Sequence, residues 1–284
     1  MPDRRSDPAA LRFLIGHDLR VTRESAGFKQ AQAAKVLGCQ QPKINYLESG
    51  RTQQKPDEVT KLLRAYGADV EHVDRIASLA GQADRTTWWA PFSEVLPDWF
   101  RTFVGLEGLA TGQFVYRSKT FPGQLQTVQY ATTLLESSLQ IAPMDVPQVV
   151  AGRMARQRLT DPDNPLEFCA VIEESIVDRP VGGARVMRAQ LTYLLELMRR
   201  PNVELHVIPT SVAVHDGLLD DFMLLDFDAA QPIAYLEFAA GALYVQDQEQ
   251  VRLYRMMAER MRAAALSTTE TADLIAARIA NLPL

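Results

Sequence analysis

Apolar side chains recur at helical spacing from the start of the chain. Leu11, Leu14, Ile15 and Leu19 mark one face of a helix expected over 9–25, and shorter amphipathic segments follow at 30–37, 41–48, 57–66 and 70–80. Residues 1–8 read as a frayed arm, and Gly81-Gln82-Ala83-Asp84 ends the helical periodicity. A helix over 97–110 then leads to a short strand at 113–116, a Phe121-Pro122-Gly123 turn, and helices at 124–138 and 146–159. Phe168, Val171 and Ile172 make 166–173 a buried strand, while Val186, Met187, Leu191, Leu194, Leu195 and Met198 share one face of a helix. Val203, Leu205 and Val207 alternate as a strand does, and further strands are expected at 221–227, 233–238 and 242–245. Asp247 with Gln250, and Ser267 with Glu270, have the capping-box spacing that opens two final helices. The pattern predicts two domains: an all-α bundle over 1–81 and a larger mixed domain over 82–284, α+β or α/β in class. Between them Thr86-Thr87-Trp88-Trp89-Ala90-Pro91 is too aromatic for a flexible tether and is expected to pack against one of the domains.

The most informative stretch is Lys29 to Arg51. Two short amphipathic segments meet at Gly38, with Ala33, Ala34 and Leu37 before the joint and Ile44 and Leu47 beyond it. Small side chains let two helices cross closely, and glycine ends the first by adopting a positive φ. The open face of the second segment carries Gln41, Lys43, Asn45 and Tyr46. Amides pair with base edges, and lysine reaches guanine or phosphate. Gln41 and Lys43 are therefore assigned to base contacts, with Asn45 and Tyr46 beside them, and Gln30 and Arg51 to the phosphate backbone.

Residues 11–66 resemble the Xre-type helix–turn–helix of lambda-repressor-like regulators. The matching residues are Leu19, Arg20, Arg23, Gly27-Phe28-Lys29-Gln30, Ala34, Leu37-Gly38, Gln41, Ile44, Leu47-Glu48, Gly50-Arg51, Leu62 and Tyr66-Gly67. Lys29 stands where Thr is usual and Gln40 where Ser is usual, and Pro42 occupies an early recognition-helix position. Further on, Phe121-Pro122-Gly123-Gln124-Leu125-Gln126-Thr127 with Tyr130-Ala131 resembles a PGLLQT-x-x-YA motif. That motif belongs to the WhiJ-like, antitoxin-like C-terminal domain of actinobacterial Xre-type regulators. Arg153, Arg156-Gln157 and Leu159 fit its arginine-rich helix, and Gln124 replaces the usual Leu. The resemblance implies a DNA-binding regulator, acting as a homodimer, whose gene neighbours that of a small partner protein.

Charge agrees with this division. The chain carries −5, but residues 1–81 hold 13 Lys/Arg against 10 Asp/Glu and the remainder 17 against 25. The positive balance lies where phosphates would be met, and the acidic remainder discourages nonspecific wrapping of DNA. Two cysteines, Cys39 and Cys169, make no disulfide framework and fit a reducing cytoplasm. No signal-peptide stretch and no membrane-length apolar run is apparent, so the expected partners are double-stranded DNA and protein, with no membrane.

No catalytic frame emerges, and no enzyme, cofactor or metal is expected. His17, His72, His206 and His215 lack the close helical spacing of a zinc pair, and Glu173-Glu174 and Asp220-Asp221 read as solvated edges. Gly182-Gly183 reads as a turn, and Cys169 as a small buried hydrophobe. Arg153 and Arg156 share a helix face, where they pair with Glu173 or Glu174 or else hold an anionic ligand or partner. Trp88 and Trp99 line either a core or a ligand pocket, so a small-molecule-sensing repressor stands as the alternative to partner regulation.

Overall fold

The computed structural model of the chain describes Arg5, residues 7–82 and residues 87–283. These divide into two compact units, the first drawn from Met1–Ser93, Asp98–Ala110 and Asp226–Pro232, the second from Glu94–Pro97, Thr111–Leu225 and Ile233–Leu284. The fold is α+β overall.

The first unit is helical: α1 (Pro8–Ser25), α2 (Gln30–Leu37), α3 (Gln41–Glu48), α4 (Pro56–Ala65), α5 (Val70–Gly81) and α6 (Asp98–Leu109). Leu11, Ile15, Leu19, Ala33, Ala34, Ile44, Leu47, Leu62, Leu63 and Ile76 form one continuous core. The unit reaches beyond residue 81 because α6 buries Phe103, Val104 and Leu106 and packs on α1. Gly105 permits that approach, since a Cβ there would stand 2.8 Å from Asp7 and 2.9 Å from the Ala10 methyl. Asp7 is not part of a frayed arm. It is fully buried, accepts from Ala10 N at 2.6 Å as the N-cap of α1, and takes the Thr87 hydroxyl at 3.0 Å. Pro8 opens α1, while residues 1–4 and 6 of the expected arm and the Ala83-Asp84 part of the expected boundary lie outside the described residues.

The second unit is built on a six-stranded mixed sheet in the order β3-β2-β1-β4-β5-β6. β1 (Gly112–Arg117), β2 (Glu167–Glu173) and β3 (Val203–Ile208) run parallel. β4 (Phe222–Asp226), β5 (Ile233–Phe238) and β6 (Gly241–Val245) form an antiparallel meander. The parallel crossovers carry α7 (Val128–Glu136), α8 (Val146–Arg156), the short α9 (Glu174–Asp178) and α10 (Gly183–Leu197). α11 (Gln248–Ala264) and α12 (Thr268–Asn281) close the chain, opened by Asp247 and by a complete Ser267/Glu270 capping box.

Two boundaries differ from the periodicity. The expected helix at 124–138 begins only at Val128, because Thr127 caps it and the buried Gln190 bonds on either side of the extended Gln126-Thr127 backbone that follows a short 3-10 turn at Gly123–Leu125. Gln190 accepts from Thr127 N at 2.8 Å and donates to Leu125 O at 2.7 Å. The helix expected to reach 159 stops at Arg156, where buried Gln124 donates to Arg156 O and accepts from Arg158 N, at 3.2 and 3.0 Å. Gln124 thus supplies polar partners at a helix end, which a leucine there would leave bare.

Candidate nucleic-acid interface

α2 ends at Gly38, whose φ of 64° is left-handed, so the chain reverses within two residues and α3 starts at Gln41. Pro42 falls in the first turn of α3, where its missing N–H has no intrahelical partner to lose. Ile44 and Leu47 turn inward, leaving Gln41, Lys43, Asn45 and Tyr46 exposed along the outer face. Arg51, in the loop after α3, is also exposed. Exposed Gln40, which precedes α3 and makes no side-chain cap bond, adjoins the same surface. In the sequence alone it reads only as a glutamine standing where a serine is usual. Its position at the N-terminal end of a recognition helix, the end that meets base edges, is the signal that would have included it.

A polar chain fixes this surface from beneath. Arg23, near the end of α1, grips Glu48 at the end of α3 with two bonds, Nε to Oε1 at 2.5 Å and Nη2 to Oε2 at 3.0 Å. Both side chains are under a tenth exposed. Glu48 Oε2 also accepts from Gln30 Nε2 at 2.9 Å, and Gln30 Oε1 accepts from Gln41 Nε2 at 3.4 Å. Gln30 therefore orients Gln41, leaving the Gln41 carbonyl and its second N–H directed to solvent. Lys43 is held by Glu58 of α4, so a base or phosphate contact requires it to leave that carboxylate. The pairing raises the lysine pKa further, so the side chain is a cation at neutral pH.

The remaining candidate residues fall in different units. Trp88 and Trp99 belong to the first, both half-buried; the Trp88 indole nitrogen lies 2.6 Å from where a Cβ on Gly108 of α6 would stand, and Trp99 meets Phe100 edge-on at 5.4 Å. Arg153 and Arg156 belong to α8 of the second unit. Arg153 bonds Gln126 rather than Glu173 or Glu174, unlike the structural pairing considered above. Glu173 instead accepts from the Tyr116 hydroxyl at 2.7 Å and lies 3.1 Å from His215 Nε2. Glu174 takes Thr210 and Arg278. Asp221 accepts from the backbone and hydroxyl of Ser118, so these carboxylates are engaged rather than solvated. Arg153 donates to Gln126 Oε1 at 2.6 Å, and burial with neighbouring Arg156 and Arg117 pushes its pKa down.

Geometry of this kind defines a helix–turn–helix DNA-binding regulator. The comparison with known families agrees: residues 14–76 match a helix-turn-helix domain. Residues 100–277 match the family described as a domain of unknown function (DUF5753), and the chain belongs to that family. Neither the curated proteins nor the solved structures give a match. Among the described residues no helix is long and apolar enough to cross a membrane.

Proposed function

We propose that the chain is an Xre-type transcription regulator of the cytoplasm that binds operator DNA as a homodimer, with a WhiJ-like, antitoxin-like second domain that is regulatory and not catalytic. The observation that carries this reading is the amide pair Gln30–Gln41, standing on the buried Glu48–Arg23 bridge and presenting Gln41 beside Asn45 and Tyr46. An amide whose partner fixes its orientation can meet adenine N6 and N7 together. Each bundle spans few base pairs, so two copies on an inverted repeat, about 34 Å apart or a multiple, supply the specificity. The acidic second domain favours a basic partner protein encoded nearby. Such a partner shifts DNA binding only through different affinities for the free and bound dimer.

The test is operator binding by full-length variants at several salt concentrations. Gln41→Ala should lose about ten- to hundredfold in affinity, chiefly on the operator, as expected for one bidentate base contact of about 1–3 kcal/mol. Arg51→Ala should weaken all sequences evenly and flatten the salt dependence. A folded Gln41→Ala protein with unchanged affinity and specificity would remove the assignment. A partner that binds only when the second domain is present and alters operator affinity supports the regulatory half. The alternative, a small-molecule sensor, draws its support from Arg153, whose guanidinium meets an amide where a carboxylate would be expected. An anionic metabolite that copurifies with the protein and is lost on Arg153→Ala would favour it.

A further inference from the structure

Cys169, Glu204 and His206 come together on one face of the sheet. Cys169 of β2 and Glu204 of β3 are direct partners across the parallel ladder, and His206 follows Glu204 by two residues, so all three project to the same side. Their sulfur, oxygen and nitrogen donor atoms lie within 4.8 Å of one another. β3 is an edge strand, and the end of α11 with the link to α12 lies against this face.

His206 carries the argument. The residue is 6% exposed, and its Nδ1 bonds the carbonyl oxygen of Leu266 at 2.9 Å. A carbonyl only accepts, so Nδ1 bears a proton, and the neutral form of the ring presents its lone pair at Nε2. That nitrogen is buried without a hydrogen bond and stands 3.5 Å from Glu204 Oε2. A ring nitrogen and a carboxylate oxygen at this distance share one cation, either the proton of an imidazolium or a metal ion. A tetrahedral zinc ion with arms of about 2.0–2.1 Å sets its nitrogen and oxygen ligands about 3.4 Å apart. A backbone carbonyl on the far ring nitrogen is also how protein zinc sites orient their histidines.

We propose that Cys169, Glu204 and His206 bind a zinc-class divalent transition-metal ion, with the fourth position left to water. A thiolate, an imidazole and a carboxylate form a donor set suited to Zn(II) rather than to magnesium or calcium. The metal enters against one competitor: Arg262 of α11 holds Glu204 Oε2 at 2.7 Å. Binding therefore frees that arginine and couples the site to α11. The ligand is the thiolate, so binding also releases the Cys169 thiol proton.

The probe is Co(II), added to the full-length protein and then displaced by Zn(II). One equivalent should bind with a thiolate-to-cobalt absorption band, and affinity should rise with pH. Cys169→Ser should abolish the band, and Cys39→Ser should leave it. Glu204 is partly exposed, so Glu204→Gln should fold normally while weakening binding about tenfold or more. Arg262→Ala should tighten binding, which a merely adventitious thiol site would not show. Absence of cobalt binding at micromolar metal, or a band that survives Cys169→Ser and follows Cys39 instead, overturns the proposal.

Discussion

Replacing Glu48 by alanine should unfold the helical bundle more easily and also weaken DNA recognition, although the residue is buried. Deleting the carboxylate strands the Arg23 guanidinium, which is 8% exposed, between α1 and α3. Breaking a buried ion pair from one side costs about 3–5 kcal/mol. Arg23 keeps its bonds to Phe28 O at 2.8 Å and to Glu24 at 3.0 Å. Glu24 is 59% exposed, so that second pairing is screened and recovers little. An expected loss of about 3 kcal/mol follows, the lower end of the range. The assay is urea unfolding of the full chain followed by tryptophan fluorescence. It isolates this event because Trp88, Trp89 and Trp99 are the only tryptophans and all three lie in the first unit. With a slope of about 1.5 kcal/mol per molar, the midpoint should fall by about 2 M. Changing both partners to methionine should restore most of the loss, since well-packed apolar replacements are often neutral. In urea-free buffer, folded Glu48→Ala protein should bind operator more weakly, because Gln30 loses the anchor that aims Gln41. A midpoint shift below about 0.3 M, with unchanged slope, would refute the account of Arg23 and Glu48 as a buried pair.

Three further outcomes are expected. His17 is buried, its ring nitrogens have no hydrogen bond, and burial followed by Arg20 lowers its pKa from 6.5 to about 4. Because the unfolded chain takes up the proton first, this histidine's contribution is complete above pH 6.5 and is lost as pH falls toward 4, by about 3 kcal/mol. His17→Leu should flatten that part of the tryptophan-detected profile, while the buried Asp18, whose pKa is raised, keeps its opposing trend in both proteins. Gln190→Leu should cost the second unit about 2–3 kcal/mol by stranding Thr127 N and Leu125 O; circular dichroism should show it while the tryptophan transition stays in place. Gln124→Leu should act in the same unit and by the same measure, more weakly, since the groups it leaves lie at a helix end.

Most of the elements were legible in the chain because their signals are local. Apolar spacing marked α1 to α5 within a residue or so, and Gly38 marked the turn because only glycine takes a left-handed φ without strain. The outward face of α3 followed from the same arithmetic, since helical phase alone sends Ile44 and Leu47 inward and Gln41 and Asn45 outward. Partners across long sequence separations were not legible. Periodicity set a helix at 97–110 but could not say that Gly105 would bring it onto α1, which moved the edge of the first unit past residue 81. Residue type marked Lys43 as a base reader, yet Glu58 holding it comes from a separate helix. Helical spacing does not bring His206 together with Glu204 and Cys169, which meet it through strand alternation and the β2–β3 register. Register between strands more than thirty residues apart is chosen by the whole core at once, and no local spacing encodes it. Backbone preference and hydrophobic phase wrote the recognition helix into the sequence; only tertiary packing decided which buried carboxylate would hold it and which side chains would share the sheet's face.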